Sequence, residues 1–327
     1  MIKVASPAHF TNSSRIRPVI HIAHTILLTG LLFSLPLFAT ASESGPIPTV
    51  VTSNGILQDM VRHVGGDRVH AVCLLPPGID VHAFDPTPDT IVQLAEADLL
   101  VINGYGLESA LDGILDNTSY RGPIAVAASR SRLVAIDPGA KGGHDHGPTD
   151  PHAWHDLGNA ITYVEVIRDA LTECNPTDAS TYARLADLYI REIRVLDTWT
   201  RRNLLGLPRG SRTILVSHQG LEYLGRAYGL EIRTLVGLSP YQDPDARQMA
   251  MIIEDLQSGR IRGLFQETGS KSRIIDQISR ESGVPIGGEL TTGTLGLGDP
   301  LSSTFAGTFR LNVLRILRVL EADSNSP

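Results

Sequence analysis

Three of the eleven histidines in this 327-residue chain sit in surroundings that suggest chemistry. His82 lies in Pro76-Pro77-Gly78-Ile79-Asp80-Val81-His82-Ala83-Phe84-Asp85-Pro86, and His152 in Asp150-Pro151-His152-Ala153-Trp154-His155-Asp156. His218 lies in Val216-Ser217-His218-Gln219-Gly220. Imidazole is the usual nitrogen ligand of Zn²⁺, and three such ligands with one further donor fill a tetrahedron. The same trio with a solvent position also describes a catalytic zinc that hydrates or hydrolyses a substrate. Separations of 70 and 66 residues carry no spacing code. Isolated histidines are more often solvated or core residues than ligands, so the fold must bring these three together or the reading fails.

The surrounding elements favour convergence. Val69 to Leu75 reads as a buried-type strand leading into the His82 loop, and Arg212 to Ser217 as a strand ending at His218. In open parallel sheets ligands bind just past the carboxyl ends of strands. Val50 to Ser53 is a further strand, a helix runs on from Asn54, Asp89 caps another, and Asp98 to Asn103 is an apolar strand. The alternation returns beyond residue 208, with a helix from Gly220 to Tyr228, a strand from Leu230 to Leu235 and a helix from Asp243 to Gly259. A strand from Ile261 to Phe265 and a helix from Ser270 to Ser282 complete it. Continuous apolar strands alternating with helices predict parallel sheets covered on both faces. Between the two units Tyr182, Leu185, Tyr189, Ile193, Leu196 and Trp199 recur at helical steps. A single helix over 177–205 would be roughly 43 Å long and would act as a strut that limits hinge motion; two helices meeting at a kink are the alternative. The expected fold is α/β: two lobes, 42–176 and 207–327, each a parallel sheet covered by helices, joined by one long backbone helix at 177–206.

These motifs together resemble the high-affinity metal-binding proteins that feed zinc and manganese ABC importers. The resemblance covers nearly all of the chain beyond residue 41. It rests on Gly78…His82…Asp85-Pro86, Asp150-Pro151-His152-x-Trp154, Ser217-His218 with Tyr223-Leu224 and Tyr228-Gly229-Leu230, and Gly287-Gly288-Glu289-Leu290. It implies that His82, His152 and His218 bind the metal, that the cargo is Zn²⁺ rather than Mn²⁺, and that the partner is an ABC-type permease in the inner membrane. Manganese-type relatives tend to have Glu where this chain has His218, and a third imidazole is the softer choice. One departure stands out. Where the family carries an Asp in a Leu-x-x-Asp-x-Leu-Gly segment, this chain reads Leu290-Thr291-Thr292-Gly293-Thr294-Leu295-Gly296. The plainest reading is three histidines and a water, with Glu267 or Asp299 as alternatives; Glu267 also suits an outer role, orienting a histidine. His144-Asp145-His146 is either a solvated linker or a weak capture site of the kind in zinc-type relatives.

Composition and termini fit an exported carrier. Arg15 and Arg17, an apolar run from Ile26 to Phe38 and Ala39-Thr40-Ala41 form the order of a cleaved signal peptide over 1–41, implying a periplasmic protein. Gly30 and Pro36 interrupt that run, which is short for a membrane span of about 20 residues. The net charge of −7 and the lack of a basic patch argue against a nucleic-acid partner, and a monomer is expected. Cys73 and Cys174 either pair in the oxidising compartment or remain free thiols. No His-Glu-x-x-His and no nucleophile elbow appears, so a carrier is expected rather than an enzyme. A secreted His₃ zinc hydrolase or hydratase, with Glu267 as base, is the alternative.

Overall fold

The computed structural model describes residues 45–76, 78–83, 85–115, 118–136, 148–235, 246–268 and 273–324. The expected signal peptide and the His144–His146 loop lie outside these residues.

Strand β1 (Thr49–Thr52) feeds helix α1 (Gly55–Gly65) through Asn54, whose side chain accepts the Leu57 N–H at 3.0 Å. An N-cap of this kind satisfies one of the helix's unpaired amide donors. After β2 (His70–Cys73), helix α2 (Pro88–Ala95) begins one residue before the anticipated Asp89 cap. Thr87 takes the cap position, its N–H donating to Thr90 Oγ1 at 3.1 Å. Pro88 fills the first helical position, where a missing N–H costs nothing. Strand β3 (Leu99–Ile102), helix α3 (Ser109–Leu115) and strand β4 (Ile124–Val126) complete the first sheet, ordered β2-β1-β3-β4 and parallel throughout. All four β3 residues are buried, as expected for a strand covered on both faces.

Helix α4 (Leu157–Cys174) leads into α5 (Ala179–Gly206), a single unbroken helix of 28 residues, about 42 Å at 1.5 Å per residue. Tyr182, Ala186, Tyr189, Ile190, Ile193, Leu196, Thr200 and Leu204 form its buried stripe. The second sheet repeats the pattern of the first. Strand β5 (Thr213–Val216), helix α6 (Glu222–Tyr228), strand β6 (Glu231–Thr234), helix α7 (Ala246–Gln257), strand β7 (Gly263–Glu267), helix α8 (Arg273–Ser282) and strand β8 (Ile286–Leu290) give the parallel order β6-β5-β7-β8. Strand β7 runs two residues beyond the anticipated Phe265, because Gln266 and Glu267 pair with Glu289 and Leu290 of β8. Pairing with a neighbour, which hydrophobicity does not report, thus carries Glu267 to the tip of the sheet.

Helix α9 (Phe305–Ser324) turns back and packs on α5, β7, β8 and α1. One continuous apolar core therefore joins Val50 and Met60 of the first lobe to Tyr189 and Ile193 of α5 and to Phe305 and Leu320 of α9. Asp59 of α1 fastens this junction. Its Oδ2 accepts the Phe305 N–H at 2.9 Å and the Tyr189 O–H at 3.3 Å. Cys73 and Cys174 are both free thiols, half-buried, with burial pushing both pKa values up. Among the described residues no helix is long and apolar enough to cross a membrane.

Candidate metal centre

His82, His152 and His218 meet at the carboxyl ends of the two sheets, each offering a ring nitrogen within 4.8 Å of the others. The two Nε2 atoms of His82 and His152 stand 3.0 Å apart. Ligand nitrogens about 2.05 Å from a tetrahedral zinc would lie about 3.3 Å from one another. The His82–His152 edge is thus close to the required spacing, and the remaining edges stay within 4.8 Å.

Each histidine is presented by its own local structure. His82 sits in a one-turn 3₁₀ segment, Val81–Ala83, and its backbone N–H donates to Asp80 Oδ1 at 2.9 Å. His152 repeats that device two residues after Asp150, donating its N–H to Asp150 Oδ1 at 2.9 Å. The same oxygen lies 2.8 Å from His152 Nδ1, which turns Nε2 toward the centre. Asp150 is itself held by the Tyr223 O–H, which donates to its carbonyl at 2.7 Å. Asn103, buried, donates to the Pro151 carbonyl at 3.0 Å. His218 follows β5, and its Nδ1 rests against Glu267 Oε2. Glu267 Oε1 accepts the Ser217 N–H at 3.2 Å, and Oε2 accepts the Thr292 O–H at 3.2 Å. Two of the three rings therefore face a carboxylate with their outer nitrogen, the arrangement that fixes tautomer and orientation in metal-binding histidines. Gly220 leaves room for this, since a Cβ there would lie 3.0 Å from His218 Nε2.

The electrostatics follow from burial against pairing. For Glu267, burial pushes the carboxyl pKa up, but His218 and the nearby donors carry it below the ordinary value. For His218, burial acts to lower the pKa, and the Glu267 carboxylate, with Asp80 and Asp150 behind it, raises it above the ordinary value. Burial pushes Asp80 up against the opposing pull of the His82 N–H and of His218. Burial, with His152 adding to it, holds His155 down to about 3, so that ring is neutral.

Several residues named from sequence fall outside the cluster. His155 packs on Trp154 with centroids 5.4 Å apart, and Trp154 donates from Nε1 to the Thr292 carbonyl at 3.3 Å. His63 stacks on Tyr189, and His70 is exposed. Asp299 is exposed, its Oδ1 accepting the Leu301 N–H of its own loop at 2.9 Å. Glu267 lies behind His218 rather than among the three nitrogens. The orienting role of Asp150 and the turn held by Asp80 went unread in the sequence, although the repeated Asp-x-His spacing was a visible signal.

Two parallel-sheet lobes on one backbone helix, with polar donors gathered at the carboxyl ends of both sheets, define the class of substrate-binding proteins. Residues 50–319 match the family described as the zinc-uptake complex component A, periplasmic, and the chain belongs to this family of metal-binding ABC-transporter substrate-binding proteins. It is 31% identical over 262 residues to the iron-binding protein YfeA of Yersinia pestis, covering 79% of this chain and 83% of that one. It is 29% identical over 272 residues to the manganese-binding lipoprotein MntA of Halalkalibacterium halodurans, covering 83% and 88%. The fold superposes on the periplasmic zinc binding protein TroA of Treponema pallidum with TM-score 0.76 and 23% identity, covering 84% and 99%. A manganese-bound periplasmic metal binding protein from Candidatus Liberibacter asiaticus gives TM-score 0.73 at 25% identity, again covering 84% and 99%.

Proposed function

We propose that this protein captures Zn²⁺ with His82, His152 and His218 in the periplasm and delivers it to an ABC-type permease in the inner membrane. The observation that supports this reading best is the convergence of three imidazole nitrogens at one point, with His152 and His218 buried and backed by carboxylates. Zinc is favoured over manganese because nitrogen-rich donor sets suit the later metal and manganese sites are richer in carboxylate oxygen. The ion is cargo, so the residues have only to bind, orient and release it. Asp150 and Glu267 hold two rings with Nε2 inward, and Trp154 and Tyr223 hold the loops that carry them.

The proposal extends to the chain's organisation. Residues 1–41 are removed on export, 42–176 and 207–327 act as the two lobes, and the helix between them restrains their relative motion. Exchange of metal then rests on the loops at the sheet ends more than on a wide hinge.

The test is a chelator-competition titration of purified protein with Zn²⁺ and Mn²⁺ at matched free metal. Zn²⁺ should bind far more tightly, and His82→Ala, His152→Ala and His218→Ala should each weaken it at least tenfold. Equal affinity for Mn²⁺ would overturn the zinc assignment. A histidine variant with unchanged affinity would remove that residue from the ligand set.

A further inference from the structure

The carboxylate of Asp80 occupies the ground beside Gly293. A Cβ placed on Gly293 would lie 2.5 Å from Asp80 Oδ2, 3.0 Å from its Cγ and 3.1 Å from Oδ1. No side chain at position 293 can coexist with Asp80 where it stands. The other two carboxylates at the centre are already committed, Asp150 to His152 and Glu267 to His218, Ser217 and Thr292. Asp80 is held differently. It accepts the His82 N–H through Oδ1, so the turn that presents His82 also presents this carboxylate. Oδ2 is the oxygen nearest Gly293. A dication held by three neutral imidazoles gains from a directly bound anionic oxygen, and the half-buried Asp80 carboxylate gains a cation, so each offsets part of the desolvation of the other.

We infer that Asp80 supplies the anionic oxygen of the metal shell, in the space that Gly293 leaves open. The inference rests on the three-histidine reading above. Asp80 lies outside the set of donors within 4.8 Å, so it closes on the ion by a side-chain rotation. Gly293 is then a requirement of the site rather than a lost ligand. Only a residue without a Cβ lets the carboxylate approach from the first lobe.

The experiment measures the Zn²⁺ dissociation constant by chelator competition for four proteins: wild type, Asp80→Asn, Gly293→Asp, and the double variant Asp80→Ser with Gly293→Asp. Asn keeps an oxygen acceptor for the His82 N–H while removing the charge, so the turn survives. Ser also keeps a short acceptor for that turn and clears the space beside position 293. Asp80→Asn should weaken zinc at least tenfold. Gly293→Asp alone should weaken it as well, because its Cβ meets Asp80 Oδ2 at 2.5 Å. The double variant should recover to within a few-fold of wild type, the carboxylate now entering from the other lobe. Thermal melts of the metal-free variants check that each is folded. If Asp80→Asn binds zinc as wild type does while His218→Ala does not, the inference is overturned and the histidine site stands. If His218→Ala also binds unchanged, the histidine site itself fails and this inference with it.

Discussion

Replacing Glu267 with Gln tests whether the carboxylate behind His218 tunes the metal or merely packs. The two side chains have the same shape, and Gln can still accept the Ser217 N–H that Glu267 accepts at 3.2 Å. What is lost is the negative charge against His218 Nδ1. Removing an outer-shell partner of a ligating histidine costs about 10- to 100-fold in metal affinity, roughly 1.4–2.7 kcal/mol. The sign of the pH effect follows from the same contact. In the wild type Glu267 raises the His218 pKa, with Asp80 and Asp150 contributing, so a proton competes with the metal for that ring from a higher pH downward. Without Glu267 the buried ring loses its main stabilising charge and its pKa falls, so proton competition begins at lower pH. The variant should therefore be most deficient at pH 8, and the gap to wild type should narrow as the pH falls toward 6. Chelator-competition titrations of both proteins from pH 6 to pH 8 measure the ratio directly. Wild-type affinity in the variant at pH 8, or a gap that widens on acidification, would refute the reasoning.

His155 offers a pH test of folding rather than binding. Its folded pKa is held near 3 against an ordinary 6.5, so the unfolded chain binds the extra proton between those values and stability is lost as pH falls below about 6.5. Urea unfolding of the metal-free protein should show His155→Gln losing less stability than wild type on going from pH 7 to pH 5, by up to about 1.4 kcal/mol per pH unit well below 6.5; parallel curves would contradict this. Asp59→Ala should cost about 1–3 kcal/mol in the same assay, because the buried Phe305 N–H and Tyr189 O–H lose their acceptor. A change under about 0.5 kcal/mol, the scatter of ordinary surface substitutions, would mean that Asp59 does not fasten α9 to α1.

What the amino-acid sequence determined by itself is everything carried by local periodicity. The all-apolar run at 99–102 read as a covered strand and is one, and the three- and four-residue recurrence from Tyr182 to Trp199 favoured the one long helix that the structure shows. Those patterns follow from the burial of side chains on elements of fixed geometry, so a window of a dozen residues suffices. The three histidines were legible too, as residues at or near strand ends within distinctive motifs. Tertiary structure alone decided the rest of the site. Glu267 reached His218 because β7 pairs with β8 two residues further than its apolar run extends. Asp80 came to lie against Gly293, from a different lobe and more than two hundred positions away, because both sheets end at the same cleft. The carboxylate that stands beside the 290–296 segment comes from the His82 turn. No local pattern could place it, since hydrophobic period specifies which face of an element is buried, whereas contact between two loops depends on how whole sheets are ordered and packed.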